Sequence, residues 1–115
     1  MNKVILIGRL CAEPSVHHTA SDISVSSFTL AVDRKFKNSD GDKMTDFISI
    51  VAWKNLSDFV QKFVNKGMKL VVIGSMHIRN YEKDDGTKVY ITEVIAEEIE
   101  FAESKISKER SKVLT

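Results

Sequence analysis

The sequence predicts an all-β domain with one helix: five strands closed into a small, partly open Greek-key barrel, with the helix between the third and fourth strands. Three observations carry this reading. Short segments rich in Val, Ile, Phe and Tyr recur along the chain, bounded by polar turn residues. The hydrophobic period switches once, near Asn55, from two to about 3.6 residues. No Pro-rich or Gly/Ser-rich linker divides the 115 residues, so a single domain is expected.

Residues 2–10 form a strand rich in Val, Ile and Leu, with Gly8 marking a bulge or bend. This strand is apolar on both faces, more than a small barrel interior absorbs, and left uncovered it would invite aggregation. Pro14, the sole proline, follows its end. Residues 15–24 are polar and read as irregular. From residue 25 to 36, Phe28, Leu30 and Val32 alternate with Thr29, Ala31 and Asp33, the mark of a half-buried strand that ends at Phe36. Residues 37–45 are a polar turn region, and 46–54 the next strand.

Over residues 55–66, Leu56, Phe59, Val60, Phe63 and Val64 fall on one helical face. Asn55 is the expected N-cap and Gly67 the C′ residue that stops the helix. Phe59 and Phe63 are assigned to the core. Residues 68–81 form a long strand with Gly74 at its middle. Asp84-Asp85-Gly86 supplies a hairpin turn, and 88–101 return as the last strand. The folded domain is placed at 1–103, and 104–115 are expected to be a disordered basic tail. Five strands with one helix between the third and fourth match the plan of an OB-fold, whose open face binds oligonucleotides in many proteins.

Composition excludes several classes. No apolar run approaches the roughly 20 residues that span a bilayer, and no segment has the apolar core of a secretory signal. The single cysteine, Cys11, makes neither an internal disulfide nor a multi-thiolate zinc site. These features point to the cytoplasm. The net charge of +1 is uneven: residues 1–103 hold 13 of the 17 Lys and Arg but 15 of the 16 Asp and Glu, leaving the excess of positive charge to the tail. Nucleic-acid binding must therefore rest on local placement and stacking rather than on bulk charge.

Catalytic and metal signals are weak. His17 and His18 are adjacent, so in an extended chain their rings point to opposite sides, and a solvated loop pair is the better reading. His77 is a lone histidine on a strand, better read as a surface or groove residue. Cys11 has no base nearby in sequence. The oxygen donors of residues 38–46 lack calcium-loop spacing. No catalytic residue, metal or cofactor is expected.

The aromatics say more. Phe47 and Trp53 are six residues apart on one strand and share a face with Ser49 and Val51, while Ile48, Ile50 and Ala52 already fill the other. Phe36 is flanked by Arg34, Lys35 and Lys37, and Tyr81 follows two residues after Arg79. Rings interleaved with cations on strand faces suit unpaired bases and their phosphates. Cover by a partner subunit or by the core accounts for the same pattern equally well.

At the level of whole segments, the sequence resembles the bacterial single-stranded DNA-binding protein family. The resemblance runs through Met1-Asn2-Lys3-Val4-Ile5-Leu6-Ile7-Gly8-Arg9-Leu10, Phe28-Thr29-Leu30-Ala31-Val32, Asp46-Phe47 to Val51-Ala52-Trp53, Lys66-Gly67, Arg79-Asn80-Tyr81-Glu82 and Val89-Tyr90-Ile91-Thr92-Glu93-Val94. It covers about residues 1–103 in order. It implies an OB-fold homotetramer that binds single-stranded DNA without marked sequence preference in replication, recombination and repair.

The family's stacking aromatics fall on Phe36, Phe47, Trp53 and Tyr81, and its basic positions on Lys66 and Arg79. Lys54 and Lys88 lie next to such positions, and Arg34, Lys35 and Lys37 flank Phe36; these five complete the candidate phosphate contacts. Family members commonly continue into an acidic tip that recruits replication and repair proteins. The basic residues at 105–112 depart from that pattern, so tail-mediated recruitment is not expected. The alternatives are a primosome-like scaffold subunit with weak DNA affinity and, more distantly, a hydrolase using the His17-His18 region.

Overall fold

A computed structural model describes residues 1–102. The chain runs β1 (Val4–Leu10), β2 (Ser15–His18), β3 (Ser24–Asp33), β4 (Thr45–Trp53), α1 (Asn55–Phe63), β5 (Lys69–Glu82) and β6 (Lys88–Phe101). The five expected strands are β1, β3, β4, β5 and β6. They pair in the order β1-β5-β6-β4-β3, and β1 closes the ring on β3 through Arg9↔Ala31 and Leu10↔Leu30. The β4–β6 seam is parallel and short, limited to Ile50↔Val94 and Val51↔Ile95, so the barrel is partly open there. The helix lies between β4 and β5, the third and fourth of the expected five.

Strand β2 corrects the reading of 15–24 as irregular. Ser15 to His18 pair antiparallel with Ser27 to Ser24, at the start of β3. Because β1 engages only the later part of β3, the earlier backbone groups need partners, and a neighbouring extended segment supplies them. That demand is for N–H and C=O groups, so it leaves no apolar pattern in the sequence.

Two glycines let the sheet curl. Gly8 pairs with Leu70 just before the chain turns onto β3, and a Cβ there would run into the Ala31 carbonyl. Gly74 lies at the irregularity in the β5–β6 register, where a Cβ would strike the Ile95 carbonyl. The bend expected at Gly8 is thus a close backbone approach. The barrel interior is filled by Leu30, Ile50, Leu70, Val72 and Val94, with Val60 and Val64 packing from the helix side. Each such burial contributes about 1.5–3 kcal/mol.

The helix differs from expectation at both ends. Asn55 is its first residue; Lys54 holds the capping position, without a side-chain cap. Val64 is already extended, and Gly67, at φ 88°, belongs to the turn closed by the Met68 N–H on the Asn65 carbonyl. Phe63 is the last helical residue and is 53% exposed rather than in the core, its ring 5.4 Å from that of Phe59, which in turn meets Phe101 at 5.6 Å. The helix is anchored by two buried residues, Val60 and Ser57. Ser57 is the polar one. Its hydroxyl meets those of Ser24 and Ser26, and its carbonyl accepts from Ser26. Strand β3 stops at Asp33, so Phe36 sits in the following loop and not at a strand end. The expected tail at 104–115 and the domain limit at 103 lie outside the described residues.

Candidate nucleic-acid interface

Alternation along β4 separates two sets of side chains. Ile48, Ile50 and Ala52 turn inward, and Phe47, Ser49, Val51 and Trp53 outward, leaving Phe47 68% and Trp53 42% exposed. On β3 the outward positions opposite them are Ala31, Thr29, Ser27 and Val25.

The β5–β6 hairpin extends beyond the barrel as a two-stranded arm closed by Asp84, Asp85 and Gly86. The Lys83 N–H donates to the Thr87 carbonyl at 2.8 Å, and Gly86 supplies φ 86°. On one face of the arm His77, Arg79 and Tyr81 stand opposite Glu93, Ile91 and Val89. Arg79 Nε donates to Glu93 Oε1 at 3.0 Å along the diagonal, and Ser75 Oγ lies 2.8 Å from His77 Nε2.

Between this face and the outer face of β3–β4 runs a groove of about 360 Å³. Ser15, Ser27, Thr29, Ser49, Arg79 and Glu93 are among the residues that line it. Ser49 and Glu93 also border a second, more apolar cavity of about 310 Å³, where Phe47 sits with Leu6, Ile48 and Met76. Hydroxyls, an arginine and a protruding ring thus converge along one path. Such a surface offers hydrogen-bond partners and a ring for stacking.

The structure brings Phe47 and Arg79 to this path, sets Trp53 at the other end of the same β4 face and Tyr81 further along the Arg79 face, and leaves the remaining candidates on other elements. Phe36 stands in the 34–44 loop, 77% exposed, with Lys35 Nζ 5.8 Å from its ring centre; Lys37 follows in the same loop. Tyr81 is near the end of the arm, and Lys88 pairs with Glu82 beside the turn. Lys54 precedes the helix. Lys66 lies in the turn before β5, its backbone N–H donating to Glu13 Oε1 at 3.0 Å. Arg34 and Arg79 are ion-paired, to Asp46 and Glu93, whereas Lys35, Lys37, Lys54, Lys66 and Lys88 have no ion pair among the described residues. The hydrogen bond from Arg34 holds the Asp46 carboxyl below its ordinary range. Asp33 is held low by the Thr45 hydroxyl and by Lys43.

Sequence reasoning missed Glu93, Ser27 and Thr29 as parts of the groove. The signal for Glu93 was present: counting back from the Asp84-Asp85-Gly86 turn places Glu93 opposite His77.

The model of the single-strand binding protein family matches residues 1–102. The chain belongs to this family. Among curated members it is 45% identical over 105 residues to single-stranded DNA-binding protein 3 of Listeria innocua, a match covering 91% of this chain and 66% of that protein. It is likewise 45% identical over 107 residues to single-stranded DNA-binding protein 1 of Staphylococcus aureus, covering 93% and 69%. The chain spans about two thirds of the length of these relatives. Its fold matches a chain of the Plasmodium falciparum SSB complex with single-stranded DNA at a TM-score of 0.79 and 30% identity, covering 88% of this chain and 94% of that one. The family resemblance and the OB-fold expected from the sequence both hold. Among the described residues no helix is long and apolar enough to cross a membrane.

Proposed function

We propose that this protein binds and protects single-stranded DNA in replication, recombination and repair, without marked sequence preference and without catalysis. Bases stack on Phe36, Phe47, Trp53 and Tyr81. Phosphates meet Arg79, Lys54, Lys66, Lys88 and the Arg34, Lys35 and Lys37 cluster. The observation that carries the reading is Phe47, two-thirds exposed on the barrel wall and next to the groove lined by Arg79. An exposed ring beside a cation is a platform on which a base stacks and which the base covers. The relatives' names and the DNA-bound family structure support a base as that cover. Self-association as a homotetramer is supported by Ile5 and Ile7, which project outward from β1 at 64% and 52% exposure. A cytoplasmic location is part of the same reading.

Trp53, the sole tryptophan, makes the test direct. Its fluorescence should fall on addition of oligo(dT) and recover as salt displaces the phosphates from their basic contacts. Unchanged emission at low salt, with no binding by a second method, overturns the proposal. A light-scattering mass of one or two chains at micromolar concentration overturns the tetramer alone.

A further inference from the structure

His77 stands directly opposite Glu93 in the β5–β6 ladder, and Glu93 is already engaged by Arg79. Directly opposed side chains have Cβ atoms about 4.5–5.5 Å apart, so His77, Glu93 and Arg79 occupy one group of adjoining positions on the arm. The carboxylate is its least exposed member, with 12% of its side chain accessible against 60% for Arg79. A charge so sheltered keeps a cation beside it. At present the only cation hydrogen-bonded to it among the described residues is Arg79, whereas His77 is bonded to the uncharged Ser75 hydroxyl.

We infer that His77 is a positioning residue for the nucleic-acid interface: when protonated it takes over the charge of Glu93 and leaves Arg79 to a phosphate. This rests on the single-stranded DNA reading above and deepens it. Histidine is the side chain that gains its charge between about pH 8 and pH 5. Below that window the cluster holds two cations for one carboxylate; above it, the single cation is neutralised by Glu93. DNA adds negative charge to this face and so favours the protonated form. Binding therefore takes up protons, and affinity rises as pH falls.

The polar and charged groups around His77 act in both directions. On its own strand these are Ser75 and Arg79, and on β6 Glu93. Across the groove lies Glu13 of the β1–β2 connection, a carboxylate whose oxygen accepts from the Lys66 N–H. On the other edge of β5 the N-terminal segment is tied by Asn2, whose side chain bonds both the Met76 N–H and carbonyl, and its charges are the Met1 ammonium and Lys3. These cations oppose protonation, but they lie on the far side of the strand pair from Glu93.

The test is binding of fluorescein-labelled oligo(dT), whose bases do not titrate in this range, followed by anisotropy at constant ionic strength. Affinity of the unaltered protein should rise roughly three- to tenfold from about pH 8 to about pH 5.5, with no more than about one proton taken up per site. His77→Gln should flatten the profile at the high-pH affinity, and His77→Arg should flatten it at the low-pH affinity. His17→Gln with His18→Gln should leave it intact. Circular dichroism checks that each variant is folded, and since His77 is exposed, both substitutions are expected to be tolerated. Binding at pH 8 with a pH response unchanged in His77→Gln overturns this inference and leaves the DNA-binding reading standing. Binding at no pH overturns both.

Discussion

Arg34 grips both carboxylate oxygens of Asp46, its Nε 3.2 and 3.0 Å and its Nη2 2.9 Å from them. With the Arg34 N–H donating to the Met44 carbonyl at 2.8 Å, this closes the base of the 34–44 loop that carries Lys35, Phe36 and Lys37. The Asp46 carboxyl is held below its ordinary value by that grip. The sign is therefore fixed: the pairing is complete above the usual carboxylate range and is lost as pH falls below it. Between pH 5.5 and 8 it does not change, so a pH response in that window does not originate at Arg34.

Replacing Asp46 by Asn should release Arg34 to a phosphate and remove a negative charge beside Phe47. Oligo(dT) affinity should tighten roughly threefold at low salt. The plot of log affinity against log salt should steepen by about one. Titrations at several salt concentrations measure both, and an unchanged slope would show that the DNA path does not reach Arg34.

The exposed rings separate affinity from stability. Phe36→Ala, Phe47→Ala, Trp53→Ala and Tyr81→Ala should each cost about 1–3 kcal/mol of oligo(dT) binding, the range for one base–aromatic stack. Because Phe36 and Phe47 are mostly exposed, folding stability should move by about 0.5 kcal/mol or less in their variants. Phe59→Ala should do the reverse. Its ring packs between Phe63 and Phe101, away from the groove, and losing it should cost about 2–4 kcal/mol of stability with affinity intact. Urea denaturation alongside the DNA titrations distinguishes the two groups.

What could be read from the sequence, and what could not, follows from how each feature is encoded. The barrel was legible because β3 and β4 write their two faces into alternating residues and the Asp84-Asp85-Gly86 turn marks the hairpin of β5 and β6. Phe47 and Trp53 were legible because the inner face of β4 was already complete without them. Strand β2 was not, since it answers the backbone of β3 rather than the core. Phe63 was misplaced because helical periodicity continues through Val64, whereas the chain leaves the helix one residue earlier. Arg34 and Arg79 were recognised as cations, but their neutralisation depended on partners across the sheet. For Arg79 the hairpin register supplies that partner; for Arg34 the loop length hides it.

Gly8 and Gly74 give a stability prediction that needs no DNA. Neither has a positive φ, so alanine suits the backbone of both, yet its methyl would strike the Ala31 and Ile95 carbonyls. Those oxygens belong to paired strands and cannot retreat without opening the barrel. Gly8→Ala and Gly74→Ala should each destabilise by about 2–4 kcal/mol, near the upper end for single substitutions. A denaturation midpoint unchanged in either variant would contradict the close approach.

Lys54 couples stability to binding in one residue. It stands at φ 57°, ψ −125°, a conformation suited to glycine, and is fixed there because its N–H donates to the Ser24 carbonyl at 2.8 Å and its own carbonyl accepts from Asp58 at 3.0 Å. Such backbone strain costs about 1–3 kcal/mol. Lys54→Gly relieves it, against a loss of roughly 0.5–1 kcal/mol from the freer unfolded chain, for a net gain of about 1 kcal/mol. Lys54→Ala keeps the strain and removes the same charge. If Lys54 meets a phosphate, both variants should bind oligo(dT) more weakly, with a salt slope shallower by about one. Only the glycine variant should melt at a higher temperature. Wild-type slopes in both would remove Lys54 from the phosphate contacts, and equal melting temperatures would show that its backbone is not strained. The expected pattern, a more stable protein that holds DNA less well, would mark Lys54 as a position where the fold carries strain to keep a cation at the start of the helix.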